Sequence, residues 1–431
     1  MLFLKKLCLP FEKAVEFLMK HMRVLIHTND FAQTLPCTFR MLTFADALES
    51  QGHEVVIIAS SMYKGDKCRG DRKEKIIYSP AVRMKKKTTL MRMLSQLSFG
   101  ITSIFSALKA GKTDVVITTS PPPLASIPGW VIAKLKHAKL IYDVRDIWPD
   151  VALEMNSFSE NSIYCKVFGK IADFMYKHAD VITTVSEGKV DKIRQHLLDC
   201  GCSKADAEKV KLVGNGFDET ILKSEFDQSV VDKYSLDDKF SCVFIGNIGL
   251  AQGLDVLLDV ASKTKHKDIQ FLLFGDGAER EVLQRKAESS GLTNVHFCGK
   301  IDHEKVFTVY SKAKISFISL KSAAMKDSIP TKTYESLGIG CPVLLVAEGN
   351  SCDIVNKSGL GICVSPDDSE KIPRIFDDMA DNYEQYISNR ENCMNLIVNE
   401  YSRQKIAANF VKMIEKLAGF ESEEVKEGSY V

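Results

Sequence analysis

The sequence has no long apolar run. Its N-terminus, MLFLKKLCLPFEKAVEFLMKH, is apolar and basic, but Lys5, Lys6, Glu12 and Glu16 break up every stretch. It offers neither the unbroken core of a secretory signal nor the roughly 20 apolar residues that a membrane span requires. Residues 1–21 read as a peripheral extension or an interfacial amphipathic helix. Paired C-x-x-C motifs are also missing. The twelve cysteines, among them Cys37, Cys165, Cys242, Cys298, Cys341 and Cys363, are scattered through apolar stretches, and Cys200-Gly-Cys202 stands alone. That distribution argues against a zinc site and predicts reduced thiols serving as small apolar side chains in a cytoplasmic protein. Short repeats and low-complexity segments are absent too. So is a strong net charge: the chain carries +1, and no nucleic-acid partner is expected. The balance hides an asymmetry, because residues 1–120 hold 19 Lys and Arg against 10 Asp and Glu. The N-terminal half is the part suited to an anionic surface.

What is present is enough for two domains. The chain has 431 residues, 45% of them hydrophobic and 26% charged, which is the composition of a globular protein. From residue 22, short Val/Ile runs alternate with amphipathic stretches: RVLIHT, a helix over about 38–51, HEVVIIAS, then DVVITTS, AKLIYDV and ADVITTVS. Continuous rather than alternating apolar runs predict parallel strands covered by helices on both faces. The pattern pauses in a Gly/Asn/Asp-rich passage over 213–240 and restarts with SCVFIGNIG, IQFLLFGDG, NVHFCG, KISFISL, CPVLLVA and GICVSP. The expected layout is an extension (1–21), a first Rossmann-like domain (22–213), a linker (214–240), a second Rossmann-like domain (241–400), a C-terminal helix (401–418) that could return to the first domain, and an acidic tail (419–431). In such α/β folds ligands bind outside the carboxyl ends of the strands, so strand-to-helix junctions carry most of the functional signal.

Four junctions stand out. In FIGNIGLAQGLDVLL, Gly246, Gly249 and Gly253 let backbone amides approach an anion, although the spacing is not that of a dinucleotide fingerprint. In LLFGDGAEREVL, Gly275-Asp276-Gly277 forms an open turn that could contact a base or sugar. In DSIPTKTYES, Pro330 stiffens a helix entry, and Ser328, Thr331 and Lys332 stand at its positive end, where a diphosphate would be stabilised. Glu335 lies one turn on, placed to accept from ribose hydroxyls. In LIYDVRDIWPDVALEM, Asp143, Arg145 and Asp146 follow a buried strand and are expected to project towards ligand, where a carboxylate could act as a general base or orient a hydroxyl. Each junction also reads as an ordinary turn, capped helix or salt-bridged loop.

As an ordered set, GHEV, VGNGFD, GNIGLAQGLDVLL, FGDGAEREVL, NVHFCGKIDHEKV and DSIPTKTYESLGIGCPVL resemble glycosyltransferase family 4, retaining enzymes of the GT-B fold with two facing doubly wound α/β domains and a cleft between them. The resemblance spans about residues 22–418. DVRDIWPD and IPTKTYE look most like the bacterial N-acetyl-L-fucosaminyltransferases of surface-polysaccharide assembly. The last segment resembles the family's Glu-x7-Glu, with Asp327 and Glu335 at its two carboxylates. The resemblance implies a nucleotide-sugar donor, UDP-linked, with no metal and no cofactor. Glu335 would hold the ribose and Asp327 would contact the transferred sugar. Gly246, Asn247, Gly249, Gln252, Gly253 and Lys332 would face the diphosphate, with Gly275, Asp276 and Gly277 beside it.

The sequence departs from the family at two points. The usual Arg and Lys of the first glycine-rich junction fall on Asn247 and Gln252, which shifts cationic stabilisation of the diphosphate to Lys332 or to a further residue elsewhere. The usual His after LIYDV is absent, and Asp143 and Asp146 stand there instead. His27 is a possible substitute or a structural residue. The resemblance further implies an acceptor held by the first domain, a polyprenyl-diphosphate-linked saccharide. Residues 83–112, with Lys85, Lys86, Lys87 and Arg92 among Leu, Met and Phe at helical spacing, fit the anionic inner face of a membrane or an ordinary amphipathic helix. A catalytically silent partner that binds nucleotide sugar or membrane, and a nucleotide-sugar epimerase, are the alternatives. The oligomeric state is left open.

Overall fold

The computed structural model describes residues 21–31, 36–64, 75–84, 88–154, 159 and 161–420. The expectations for residues 1–20, for Lys85, Lys86 and Lys87, and for the tail from residue 421 lie outside them. The described residues divide into two compact units. One holds those up to Asp146, Phe168–Thr183 and those from Ala407 on; the other holds Ile147–Val167 and Thr184–Ile406.

A seven-stranded sheet is built from β1 (Arg23–Thr28), β2 (Glu54–Ser60), β3 (Lys75–Ser79), β4 (Val115–Ser120), β5 (Lys139–Val144), β6 (Val181–Thr184) and β7 (Val210–Leu212), in the order β3-β2-β1-β4-β5-β6-β7. β1 pairs in parallel with both β2 and β4, and β4 with β5. Every residue of β4 is buried, and so is every residue of β2 except Glu54. That explains why these strands carry uninterrupted Val and Ile: both faces are covered, so no position favours a polar side chain. The first unit is tied to the end of the chain by helix Arg403–Ala418, where Phe410 packs on Phe44 with ring centroids 4.3 Å apart and Glu415 accepts from His53 at 3.0 Å.

The second unit has its own six-stranded sheet: β8 (Ser241–Ile245), β9 (Gln270–Phe274), β10 (Val295–Gly299), β11 (Ile315–Ser319), β12 (Val343–Val346) and β13 (Gly361–Val364), in the order β10-β9-β8-β11-β12-β13. The pairs are parallel. Chain order runs outward from β8 to β10 and then jumps back to β11, so the direction of winding reverses between β8 and β11. The carboxyl ends of those two strands flank the crevice where such folds bind ligands. Side chains alternate across the sheet: Cys242 and Phe244 of β8 enter one apolar cluster with Phe271, Phe317 and Phe376, while Val243 enters the other with Phe274, Tyr310 and Leu337.

Residues 214–240 are folded into this second unit. Phe217, Ile221, Val230 and Val231 are part of its core, and Arg403 donates to the carbonyl of Asn215 at 2.9 Å. The cysteine reading needs one correction. Cys352 and Cys363 form a disulfide joining helix Asn350–Ser358 to β13. The chain turns back between helix and strand and brings together two residues whose separation, 11, shows no pairing pattern in the sequence.

Candidate functional site

Where the loops after β8 and β9 meet, the chain needs glycine for steric reasons. Gly275 has a φ of +143°, and a Cβ there would fall 1.8 Å from the carbonyl oxygen of Gly246. A Cβ on Gly277 would lie 2.1 Å from the carbonyl of Ile248. Three hydrogen bonds hold the two loops together: Gly246 N–H to Phe274 O at 2.9 Å, Ile248 N–H to Asp276 O at 2.9 Å, and Glu279 N–H to Ile248 O at 3.0 Å. A third strand end joins them, because Ser319 of β11 donates to the carbonyl of Gln252 at 2.5 Å and Lys321 N–H donates to Ala251 O at 2.9 Å. Gly246, Gly249, Gln252, Gly253, Gly275, Asp276 and Gly277 are thus gathered at one place, the point where the winding reverses. Asn247 and Asp276 are exposed there.

Helix Thr331–Ile339 begins on Pro330, and no side chain caps its first turn. Its early amides are therefore free of the usual capping oxygen, and the positive end of the peptide dipoles is open to an anion. Lys332, on that turn, is buried. Its Nζ donates to Gln252 Oε1 at 2.5 Å, lies 4.0 Å from the centroid of the Phe244 ring, and would stand 3.3 Å from a Cβ on Gly246. A neutral amide and an aromatic face are poor substitutes for water around an ammonium group. Burial accordingly lowers the Lys332 pKa to about 7, with the negative charge of Glu335 one turn away acting in the opposite direction. The geometry leaves an amine that lacks a full counter-charge beside the open amides of the helix start. That donor set fits a phosphate group.

The family model Glycosyl transferases group 1 matches residues 227–402, and the Glycosyl transferase 4-like domain matches residues 38–216. The chain is a glycosyltransferase of the GT-B fold. It is similar to WcaI of Escherichia coli K12, named for a glycosyl transferase role in colanic acid biosynthesis, at 24% identity over 75% of this chain and 84% of that one. WbjE of Pseudomonas aeruginosa, described as a glycosyltransferase, is 21% identical over 68% of this chain and 78% of its own. Among solved structures, sucrose-phosphate synthase from Thermosynechococcus elongatus superposes with a TM-score of 0.76 at 15% identity, covering 93% of this chain and all of that one. Anabaena HepE in complex with UDP-glucose superposes with a TM-score of 0.69 at 14% identity, covering 92% and 100%.

The carboxylates of this glycosyltransferase are placed less uniformly than the sequence suggests. Asp143 was expected to project towards ligand. It lies within β5, fully buried, and accepts from Arg40 NH2 at 2.8 Å, from Arg40 Nε at 3.2 Å and from Thr183 Oγ1 at 2.7 Å. Those bonds use its oxygens inside the core of the first unit, so Asp143 is a structural anion. Asp146 is half-buried just beyond the end of β5 in the same unit. Beside it, Arg145 donates to the carbonyl of Pro121 at 2.7 Å, which fixes the loop. His27 is likewise enclosed in the first unit. It bonds Thr118 Oγ1 and Ser103 Oγ at 3.0 Å each and stacks on Phe99, and burial lowers its pKa to about 3. It is a neutral structural ring and no substitute for the family's histidine.

Asp327 belongs to the second unit of the glycosyltransferase, with Glu335 and Lys332. Its carbonyl accepts from Ser186 Oγ at 2.6 Å, and its Oδ1 lies 2.1 Å from where a Cβ on Gly188 would stand. The carboxylate therefore rests on the first turn of helix Glu187–Asp199, whose Gly188 N–H donates to Asn350 Oδ1 at 3.0 Å. Neither this contact nor Phe244 under the lysine has any signal in the sequence. A central-strand Phe looks like any core residue, and Ser186 is 141 residues from Asp327.

Proposed function

We propose that this glycosyltransferase moves a sugar, with retention of configuration, from a UDP-linked donor to a polyprenyl-diphosphate-linked saccharide during O-antigen, capsule or exopolysaccharide assembly. The observation that carries the reading is the buried Lys332 amine beside Gly246 and the uncapped start of helix Thr331–Ile339. In that pocket the donor diphosphate lies on the helix amides and draws the Lys332 proton fully onto Nζ. Glu335 takes the ribose hydroxyls, and Asp327 meets the transferred sugar. A fixed lysine and helix dipoles meet the charge that grows on the leaving group, a role a metal ion plays elsewhere. The bond between the anomeric carbon and the phosphate oxygen breaks with its electron pair leaving on the diphosphate. The acceptor oxygen bonds the anomeric carbon on the same face, and its proton passes to the departing phosphate oxygen. Asp146 orients that acceptor hydroxyl.

The name of WcaI, which specifies colanic acid biosynthesis, supports a role in polysaccharide assembly, and the resemblance of the IPTKTYE segment supports an N-acetylated deoxyhexosamine as the sugar. The acceptor's lipid places the enzyme on the anionic inner face of the cytoplasmic membrane. A panel of UDP-sugars, incubated with and without a polyprenyl-diphosphate saccharide, tests the reading. Transfer that requires the acceptor supports it, donor binding without turnover would favour a silent binding partner, and conversion of the free nucleotide sugar would favour an epimerase. In the same assay Asp146→Ala should lower turnover far more than donor affinity, and unchanged turnover would remove Asp146 from the mechanism.

A further inference from the structure

Helix Thr89–Ser106 presents a face that none of the described residues of the first unit covers. Leu90, Leu94, Leu97, Ile101, Phe105 and, on the short turn that follows, Leu108 are between 43% and 70% exposed. At about 100° per residue these positions fall within an arc of roughly 80°. The opposite positions Ser95, Phe99, Ser103 and Ala107 are buried against the unit. The helix is thus amphipathic in the unusual sense that its apolar stripe points away from its own core. Scattered exposed apolar residues are ordinary, but a contiguous row on one helix face marks a contact surface.

The charges around the row indicate what it contacts. Arg83 and Arg92 are exposed at its start, and Lys109 and Lys112 at its end. Between Lys75 and Asp114 the sequence holds no Asp or Glu, while Lys85, Lys86 and Lys87 add to the cations. A stripe one helix wide covers roughly 300 Å², well under the ~800 Å² per partner of a stable protein interface. A basic rim, in which among the described residues only Lys112 stands near a carboxylate, the mostly buried Asp114 at 3.7 Å, around a narrow apolar row matches a layer that is apolar inside and anionic outside. No described helix is long and apolar enough to cross a membrane, so this one would lie in the plane of the surface.

We propose that helix Thr89–Ser106 and Leu108 insert as an apolar keel into the headgroup layer of an anionic bilayer, with Arg83, Arg92, Lys109 and Lys112 on the lipid phosphates. This rests on the reading of a lipid-borne acceptor and specifies how the enzyme reaches it. The test is sedimentation of the full chain with vesicles of phosphatidylcholine containing phosphatidylglycerol, against vesicles of phosphatidylcholine alone, at low and high salt. The protein should bind the anionic vesicles and be released by salt. The exposed pair Ile101→Gln with Phe105→Gln should lower partitioning by roughly tenfold or more at unchanged melting temperature. Val282→Gln, an exposed apolar site in the second unit, should bind as the parent does.

Absence of binding at low salt, unchanged binding of the double variant, or an equal loss in Val282→Gln would overturn the proposal. A lipid-free dimer that the double variant dissociates would assign the face to a second copy, and a Phe105→Trp variant already blue-shifted without lipid would assign it to residues 1–20. Either result also overturns it. Vesicle binding is read without donor or acceptor, so failure here leaves sugar transfer standing, and failure of transfer leaves this result standing.

Discussion

Replacing Lys332 with Met should stabilise the ligand-free protein in mild acid while abolishing diphosphate binding. The folded protein lowers this amine from its ordinary 10.5 to about 7. At 1.36 kcal/mol per unit, the charged amine opposes folding by about 5 kcal/mol. The sign follows from proton counts. Between pH 7 and 10.5 the unfolded chain holds the proton and the folded one does not, so stability rises with pH across that window. Below pH 7 both states are charged and the full opposing term is present. Methionine removes that term but also the hydrogen bond to Gln252 and the contact with Phe244, together about 1–2 kcal/mol. The variant should therefore be more stable than the parent by about 3 kcal/mol at pH 6 and slightly less stable near pH 10. Paired urea unfolding of parent and variant at pH 6 and 9.5 measures this. UDP titration supplies the other half: parent affinity should fall by up to about tenfold per pH unit above 7, because binding must then take up a proton, whereas Lys332→Arg should show a flatter profile. A stability difference that does not change with pH, together with pH-independent UDP binding in the parent, would refute the argument.

Two further outcomes follow from buried geometry. Arg40→Ala leaves the Asp143 carboxylate uncompensated in the core, which should cost about 3–5 kcal/mol of stability, read by chemical unfolding. Turnover per folded molecule should be kept, which is the reverse of the pattern expected for Asp146. Gly275→Ala forces a methyl group into the Gly246 carbonyl and a side chain into a positive φ, and should lower the melting temperature by several degrees or prevent folding altogether. Gly291→Ala, where no atom lies within 4 Å of the new methyl, tests how much of that is backbone strain alone.

Much of the fold was legible because both sheets are parallel and covered on both sides. Runs such as VVIIAS and VVITT cannot be mistaken for half-exposed strands, and the order of strands and helices follows from them. The clustering of the glycine-rich junctions was legible for a related reason: glycines and Pro330 mark backbone constraints that are local in the chain. Asp143 was misread because its fate depends on Arg40, 103 residues away. Whether a carboxylate at a strand's end meets a ligand or a core cation is decided by tertiary contacts, and the period of two along a strand is no guide without them. The Cys352–Cys363 pair was hidden in the same way. Lys332 was singled out for its place at the start of a helix, but its burial against Phe244 was not visible, since a lysine on the first turn of a helix is usually solvated.

The loops after β8 and β9 are stitched to each other through backbone atoms, with Gly246, Ile248, Asp276 and Glu279 all engaged. Such a floor has little conformational freedom to lose when a ligand arrives, so the entropy of donor recognition falls on the ligand and on side chains at the rim. Asn247 and Asp276 are exposed on this otherwise rigid base. If the donor binds as proposed, exchange of those two side chains would alter donor preference while the backbone beneath them stays unchanged.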